Sequence, residues 1–288
     1  MVVGRVEQLW RYPVKSMRGE RVSSAALERR FGIPGDRGWA IRDEDSGEIR
    51  GAKKIGALLT FASRYLEEPS GSACPPVEMT LPDGGRVTSS DPSVDAVLSG
   101  ALGRAVTLWS RRPAEDVEHY RRVEKIDEAE MRRQLGLLPD EPLPGYAAVP
   151  SKLGAQLVEF VSPLGTYFDA VELHLLTTRS LASLADHSSG SLVDVRRFRP
   201  NIVIDTVESE EAFPEIQWCG RRMSIGSAIV EAIMPTSRCV MVTLPQAELP
   251  QDRTIMRTLV RETGMDLGVG LRVIEPGTIA EGDTIAIQ

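Results

Sequence analysis

Residues 267–288 read LGVGLRVIEPGTIAEGDTIAIQ: apolar runs interrupted by two turns, Pro276–Gly277 and Glu281–Gly282–Asp283. Short runs of Val, Ile and Leu set off by Gly, Pro and Asp suit strands that reverse direction every few residues. The same pattern recurs upstream. VVGRVEQLWRYPV is rich in β-branched and aromatic residues and ends at Pro13. WAIRDEDSGEIR turns at Ser46–Gly47, and VEMTLPDGGRVTSS turns through Pro-Asp-Gly-Gly. AVTLW, VELHLLTT and RPNIVID add further strands, and MSIGSAIVEAIM bends at Gly226. Many short strands and few helices predict a mainly β fold with some α, built from barrels.

Three helices interrupt this pattern. DPSVDAVLSGALG offers Asp91 as N-cap, Pro92 at the first helical position and Gly103 as the stop. RSLASLADH is introduced by Thr177 or Thr178. In DRTIMRTLVRETG, Ile255, Met256, Leu259 and Val260 share a face that Gly264 closes. Residues 110–165 differ in being first highly charged and then proline-rich. They read as a solvated connecting segment with one helix near 127–136.

The chain has 288 residues, 42% of them hydrophobic, and a net charge of −7. That is enough for a large core, and Lys and Arg are dispersed, which argues against nucleic acid or an anionic membrane as partner. No apolar run reaches the roughly 20 residues of a membrane helix. Charges at Arg5 and Glu7 interrupt the region where a signal peptide is apolar, so a cytoplasmic protein is expected.

PTSRCVM, residues 235–241, poses the chemical question. Cys239 is core filler, half of a disulfide, or a thiolate for a soft metal; Arg238 and the Thr236 and Ser237 hydroxyls could stabilise the last. The other cysteines, Cys74 and Cys219, make no C-x-x-C with it. The histidines His119, His174 and His187 lack helical zinc spacing. Whatever metal the protein takes, the polypeptide supplies few ligands. Elsewhere, Lys15 and Ser16 in RYPVKSMRGE suit a phosphate oxygen. GIPGDRGWAI places Asp36 and Arg37 at a turn, read as an Asp–Arg pair. Arg199 and Asn201 in VRRFRPNIVID flank Pro200 before a buried strand, where they could grip an anion or a heterocycle edge. Nothing matches G-x-S-x-G, a Walker A loop or G-x-G-x-x-G before a helix, so hydrolase and nucleotide-binding readings have little support.

In this order the stretches resemble a known family. LWRYPVKSMRGE and GIPGDRGWAI are similar to the MOSC N-terminal β-barrel domain. GTYFDAVELHLLTT, VRRFRPNIVID, PTSRCVM and PGTIAEGDTIAI are similar to the MOSC domain, and the pairing resembles amidoxime-reducing components and their bacterial relatives. The resemblance implies an N-terminal barrel domain over 1–110, a connector over 111–150 and a MOSC domain over 151–288. It implies the molybdenum cofactor (Mo-molybdopterin), with Cys239 ligating the metal. Lys15, Ser16 and Arg37 would hold the cofactor's anionic and pterin parts, and Arg199 and Asn201 would form a second wall. Asp169, Thr236, Ser237 and Arg238 would line the same pocket. The implied activity is a molybdenum-dependent oxidoreductase that reduces small N-hydroxylated substrates. With no cysteines for a cluster, the chain would take electrons from a separate flavin or iron–sulfur reductase. The alternative is a cofactor carrier or sulfur-transfer protein acting through Cys239. The sequence departs from the family after the cysteine, where VTLPQAELPQD replaces a DPDTG-like loop and puts the substrate preference in question.

Overall fold

Val3, Val6 and Leu9 are all buried although they lie three apart in strand β1, Val2–Arg11. A regular strand would turn them to alternate faces. Register shifts between Val2 and Gly4 and between Val6 and Gln8 resolve this, each inserting one residue and re-aiming the next side chain inward. The computed structural model describes residues 1–145, 149–207 and 210–288.

Strands β2 (Glu20–Val22), β3 (Ser24–Leu27), β4 (Trp39–Asp43), β5 (Glu48–Arg50), β6 (Ala62–Tyr65), β7 (Val77–Thr80) and β8 (Arg86–Thr88) follow, then helix α1 (Val94–Leu102) and β9 (Val106–Ser110). Helices α2 (Val117–Tyr120), α3 (Glu128–Leu135) and α4 (Ser151–Glu159) occupy the middle. The remainder is β10 (Leu173–Thr177), α5 (Thr178–His187), β11 (Ile202–Thr206), β12 (Arg222–Ile225), β13 (Ala228–Ser237), α6 (Thr254–Thr263), β14 (Asp266–Glu275), β15 (Gly277–Ala280) and β16 (Thr284–Ile287).

Seven strands close a barrel in the order β11-β10-β14-β13-β12-β16-β1, with β1 pairing back onto β11. All pairs are antiparallel except β10 with β11, which α5 connects as a crossover. Val6, Leu9, Leu175, Ile204, Val230, Leu271 and Ile285 fill the interior, each such side chain contributing about 1.5–3 kcal/mol by leaving water. The barrel therefore takes its first strand from the start of the chain and the rest from beyond residue 172. A second core, around Ile41, Phe61, Val77, Met79, Leu98 and Val106, is enclosed by sheets β5-β4-β9 and β6-β7-β8 together with α1. Val14 and Met17, both fully buried, belong to this second core. The chain thus crosses from barrel to second unit at residues 12–17.

The fold is mainly β, as the pattern predicts, but some local expectations need correction. Helix α1 starts two residues later than the Asp91–Pro92 reading: Asp91 accepts from Ser93 N and Ser93 Oγ instead of the first turn, leaving Ser93 as the capping position. Thr177 is the cap of α5, accepting from Ser180 N. Gly103 and Gly264 stop their helices in the left-handed conformation. Among the described residues, the segment 110–165 holds three helices where one was expected, and it is tied down rather than loose. Glu48, fully buried, accepts from the backbone N–H groups of Val123 and Glu124, and Lys54 pairs with Glu124 and Glu130. Tyr146, Ala147 and Ala148 of the proline-rich stretch lie outside the described residues. Among the described residues no helix is long and apolar enough to cross a membrane.

Candidate functional site

Burial of Val14 and Met17 on either side leaves Lys15 and Ser16 no freedom to move out of the junction. Ser16 is held in the left-handed region (φ 69°), and its Oγ accepts from Ala52 N at 2.9 Å. A Cβ at Gly51 would come within 2.9 Å of that oxygen, so only glycine lets this loop approach so closely. Lys15 is 6% exposed; its Nζ donates to the Tyr167 carbonyl at 2.8 Å and to Asp169 Oδ1 at 2.7 Å. Burial lowers the Lys15 pKa, with Asp169 opposing the shift. For Asp169, whose side chain still meets solvent, partial desolvation works to raise the pKa, but Lys15, Lys53 and Arg37 outweigh it and hold the carboxyl well below the usual carboxylate range.

Arg37 and Arg199 approach the same ring. Their guanidinium carbons lie 5.1 Å and 4.2 Å from the centroid of Tyr12, whose hydroxyl donates to Pro200 O at 3.0 Å. Arg37 forms the expected pair with Asp36, which is fully buried and also accepts from Tyr12 N at 2.8 Å. Burial pulls the Arg37 pKa down, yet Asp36 and Asp169 raise it overall. Arg199 has no carboxylate within 4 Å among the described residues; burial and the like charge of Arg37 push its pKa down to about 10. Its Nη1 donates to Met17 O at 2.7 Å. Ser16, Arg37 and Arg199 are three of six non-glycine residues with left-handed backbone among the described residues. Backbone strain of this kind is retained where the surroundings hold a side chain for use.

Arg238, immediately before Cys239, donates from Nη2 to Phe198 O at 2.6 Å, while its buried Nε has no partner among the described residues. His174 sits against it, with Nε2 3.4 Å from Arg238 Nη1 and 3.3 Å from Leu267 O. Burial and the Arg238 charge hold His174 neutral, its pKa well below the ordinary value. Cys239 is half-buried and packs with Ala52, Leu59, Met241 and Leu244. Ala52 therefore links the two ends of the site: its N–H reaches Ser16 and its side chain packs in the cluster of Cys239. All three cysteines are free thiols, which removes the disulfide reading of Cys239.

Lys15, Arg37, Asp169, Arg199 and Arg238 thus influence one another's charge, with Cys239 next to Arg238. Three other candidates stand differently. The Asn201 amide is engaged with backbone, Oδ1 accepting from His174 N at 3.1 Å and Nδ2 donating to Trp10 O at 3.3 Å. It splices β10 to β1. Ser237 is exposed and donates to Asp266 Oδ1 at 2.6 Å. Thr236, half-buried near the end of β13, makes no side-chain hydrogen bond among the described residues. Sequence reasoning passed over Tyr12, Lys53, Tyr167 and His174. Tyr12 lay inside the quoted motif RYPVKS, but nothing local marks a ring as a platform for two distant arginines. Lys53, in GAKK, acts through its charge on Lys15 and Asp169. Among the described residues, no group of three or more His, Cys, Asp and Glu could hold a metal by itself.

A closed β-barrel thus stands beside a smaller β unit, and buried cations and one thiol, residue types that suit anions and soft metals respectively, meet at their junction. The MOSC N-terminal beta barrel domain model matches residues 3–85 and the MOSC domain model residues 166–286. The chain belongs to the MOSC family of proteins that pair these two domains. It is 24% identical over 311 residues to mitochondrial amidoxime-reducing component 1 of Homo sapiens, covering 98% of this chain and 82% of the relative. Mitochondrial amidoxime reducing component 2 of Rattus norvegicus is 25% identical over 250 residues, 84% of this chain and 67% of the relative. The solved structure of the YUAD protein from Bacillus subtilis is similar at a TM-score of 0.44 and 11% identity, covering 98% of this chain and 94% of that one.

Proposed function

We propose that the chain binds the molybdenum cofactor at the junction and reduces small N-hydroxylated compounds. The observation that carries this reading is the cation cluster beside Cys239, in which Arg199 lacks a carboxylate and Arg238 Nε lacks any partner. A terminal phosphate and a hydrogen-bonding pterin supply the missing negative charge and acceptors, and the pterin dithiolene supplies the metal ligands that His and Cys do not. The residues present fit the group.

Lys15, Ser16 and Arg37 would take the anionic end. Lys15 and Arg37 are already oriented by Asp169 and Asp36, and the proton of the Ser16 hydroxyl has no acceptor among the described residues. Arg199 and Arg238 would face the pterin, with His174 and Tyr12 holding their planes. The Cys239 thiolate would ligate the metal. Asn201 we assign to positioning, since its amide keeps His174 and Trp10 in register. When bound, the cofactor would supply two-electron reduction chemistry, by which R–NHOH, two protons and two electrons become R–NH2 and water. The electrons would come from a separate flavin or iron–sulfur protein.

Molybdenum content of protein made in a cofactor-producing host tests the reading, with Cys239→Ala and Arg37→Ala alongside. Near-stoichiometric metal lost in Arg37→Ala, with turnover of an N-hydroxylated substrate by wild type on an artificial electron donor, is expected. Loaded protein without turnover would leave only the carrier or sulfur-transfer reading. Empty wild type from a host that loads another cofactor protein would remove both.

A further inference from the structure

A second group of unpartnered donors lies at a small half-enclosed cavity of about 100 Å³, lined by Trp10, Tyr12, Arg18, Arg196, Arg199 and Gln246. Gln246 is 2% exposed and Arg199 7%, and among the described residues neither Gln246 Nε2 nor Arg199 Nη2 has a hydrogen-bond partner. Buried N–H groups left unpaired at a cavity call for a guest that accepts hydrogen bonds. The surroundings decide between water and an anion. Arg18 makes only long contacts, to Phe61 O at 3.3 Å and Thr60 O at 3.4 Å, and has no carboxylate within 4 Å among the described residues. Arg196 carries the two acids of the neighbourhood, Asp194 at 2.7 Å and Glu248 at 2.6 Å. Among the described residues, both carboxylates within 4 Å of these three guanidinium groups belong to Arg196. The other polar groups of the lining are directed elsewhere: Trp10 Nε1 donates to Gln8 and the Tyr12 hydroxyl to Pro200 O. A water there would find donors in excess and few acceptors for its own protons. An oxyanion accepts from every side and offsets the charge.

We infer that this cavity is a binding site for a compact oxyanion of about four or five heavy atoms, the size that a volume of roughly three waters admits. Gln246 belongs to the loop VTLPQAELPQD, separated from Cys239 by two residues. The loop thereby acquires a role: it closes the cavity over Arg18, Arg196 and Arg199. The site shares Arg199 and Tyr12 with the proposed cofactor pocket but none of its Lys15–Ser16–Arg37 end.

Inorganic sulfate is the probe. Calorimetric titration of sulfate into the full-length protein, at ionic strength fixed with sodium chloride, is expected to show a saturable site that Lys15→Ala leaves intact. Binding should weaken about tenfold in Arg18→Gln, the loss of one charge-assisted hydrogen bond, and be abolished in Gln246→Glu, whose carboxylate takes the place of the ion. Gln246→Glu keeps the side-chain volume and gains a counter-charge, so its thermal midpoint should equal or exceed that of wild type. Absence of saturable binding in wild type overturns the inference, as does binding unchanged in both variants. Sulfate binding lost in Lys15→Ala but intact in Gln246→Glu also overturns it, since the ion would then occupy the proposed cofactor end.

Discussion

Lys15 Nζ lies 2.7 Å from Asp169 Oδ1, joining a residue of the first crossing to one 154 positions later. The ammonium is almost buried, with 7% of its side chain exposed, whereas the carboxylate is 61% exposed. The pair therefore balances the buried ammonium with a carboxylate that still faces solvent.

Asp169→Asn should lower stability and raise anion affinity together. With the carboxylate so exposed, solvent screening keeps the loss to about 1 kcal/mol. The folded-state pKa of Asp169 lies below its unfolded value, so the stabilisation is present above pH about 4 and is lost as pH falls through the folded pKa. Thermal melts of wild type and variant should differ at pH 7 and draw together progressively as pH falls below about 4. Phosphate titration at pH 7 should show tighter binding to the variant. Weaker binding would mean that Asp169 orients Lys15 for the anion instead of occupying its place.

Asn201 and Arg199 flank one proline but should fail differently. Asn201→Ala leaves His174 N and Trp10 O without their amide partner inside the fold, a cost of about 2–3 kcal/mol. Arg199→Gln removes a buried charge that no carboxylate balances, so denaturant midpoints should change little while bound molybdenum falls. If Asn201→Ala kept wild-type stability and lost only metal, its amide would be a cofactor contact.

Gly268→Ala tests the seat of His174. Gly268 has φ +80°, and a Cβ there would lie 2.3 Å from His174 Nε2 and 2.6 Å from Leu175 O. Strained backbone and forced displacement should destabilise the barrel by at least about 2 kcal/mol. Because His174 abuts Arg238, residual folded protein should also load less molybdenum. A wild-type melting curve would show that the ring moves aside freely.

Cys239→Ser separates chemistry from packing. The thiol is half-buried against Ala52, Leu59, Met241 and Leu244, so the swap should cost no more than about 1 kcal/mol. Turnover of N-hydroxylated substrates should nevertheless vanish. Turnover above a tenth of wild type would exclude the thiolate as an essential metal ligand.

Strand content was legible because alternating apolar runs and Gly, Pro and Asp turns are local signals; β7, β8, β12 and β13 fall where the pattern puts them. The Asp36–Arg37 pair was legible for the same reason, its members being neighbours. Helix α4 was not, since it has no side-chain cap and follows the proline-rich stretch read as a connector. Tyr12 and His174 were equally silent, because each acts on arginines far away in sequence.

The sequence by itself determined the turns, the helix stops and the set of chemical types: few metal ligands, a Lys–Ser pair, arginines beside a lone cysteine. Tertiary structure alone decided which of them meet. Closure of the barrel by β1 against β11 brings residues 12–17 to the strand that follows Arg199 and Asn201. Burial then removes the water that would screen these charges, so that Asp169 binds Lys15, Arg199 is left without a carboxylate, and Ser237 turns to Asp266. Spacing along a chain carries no record of such encounters. They exist only once strands from its two ends share one sheet.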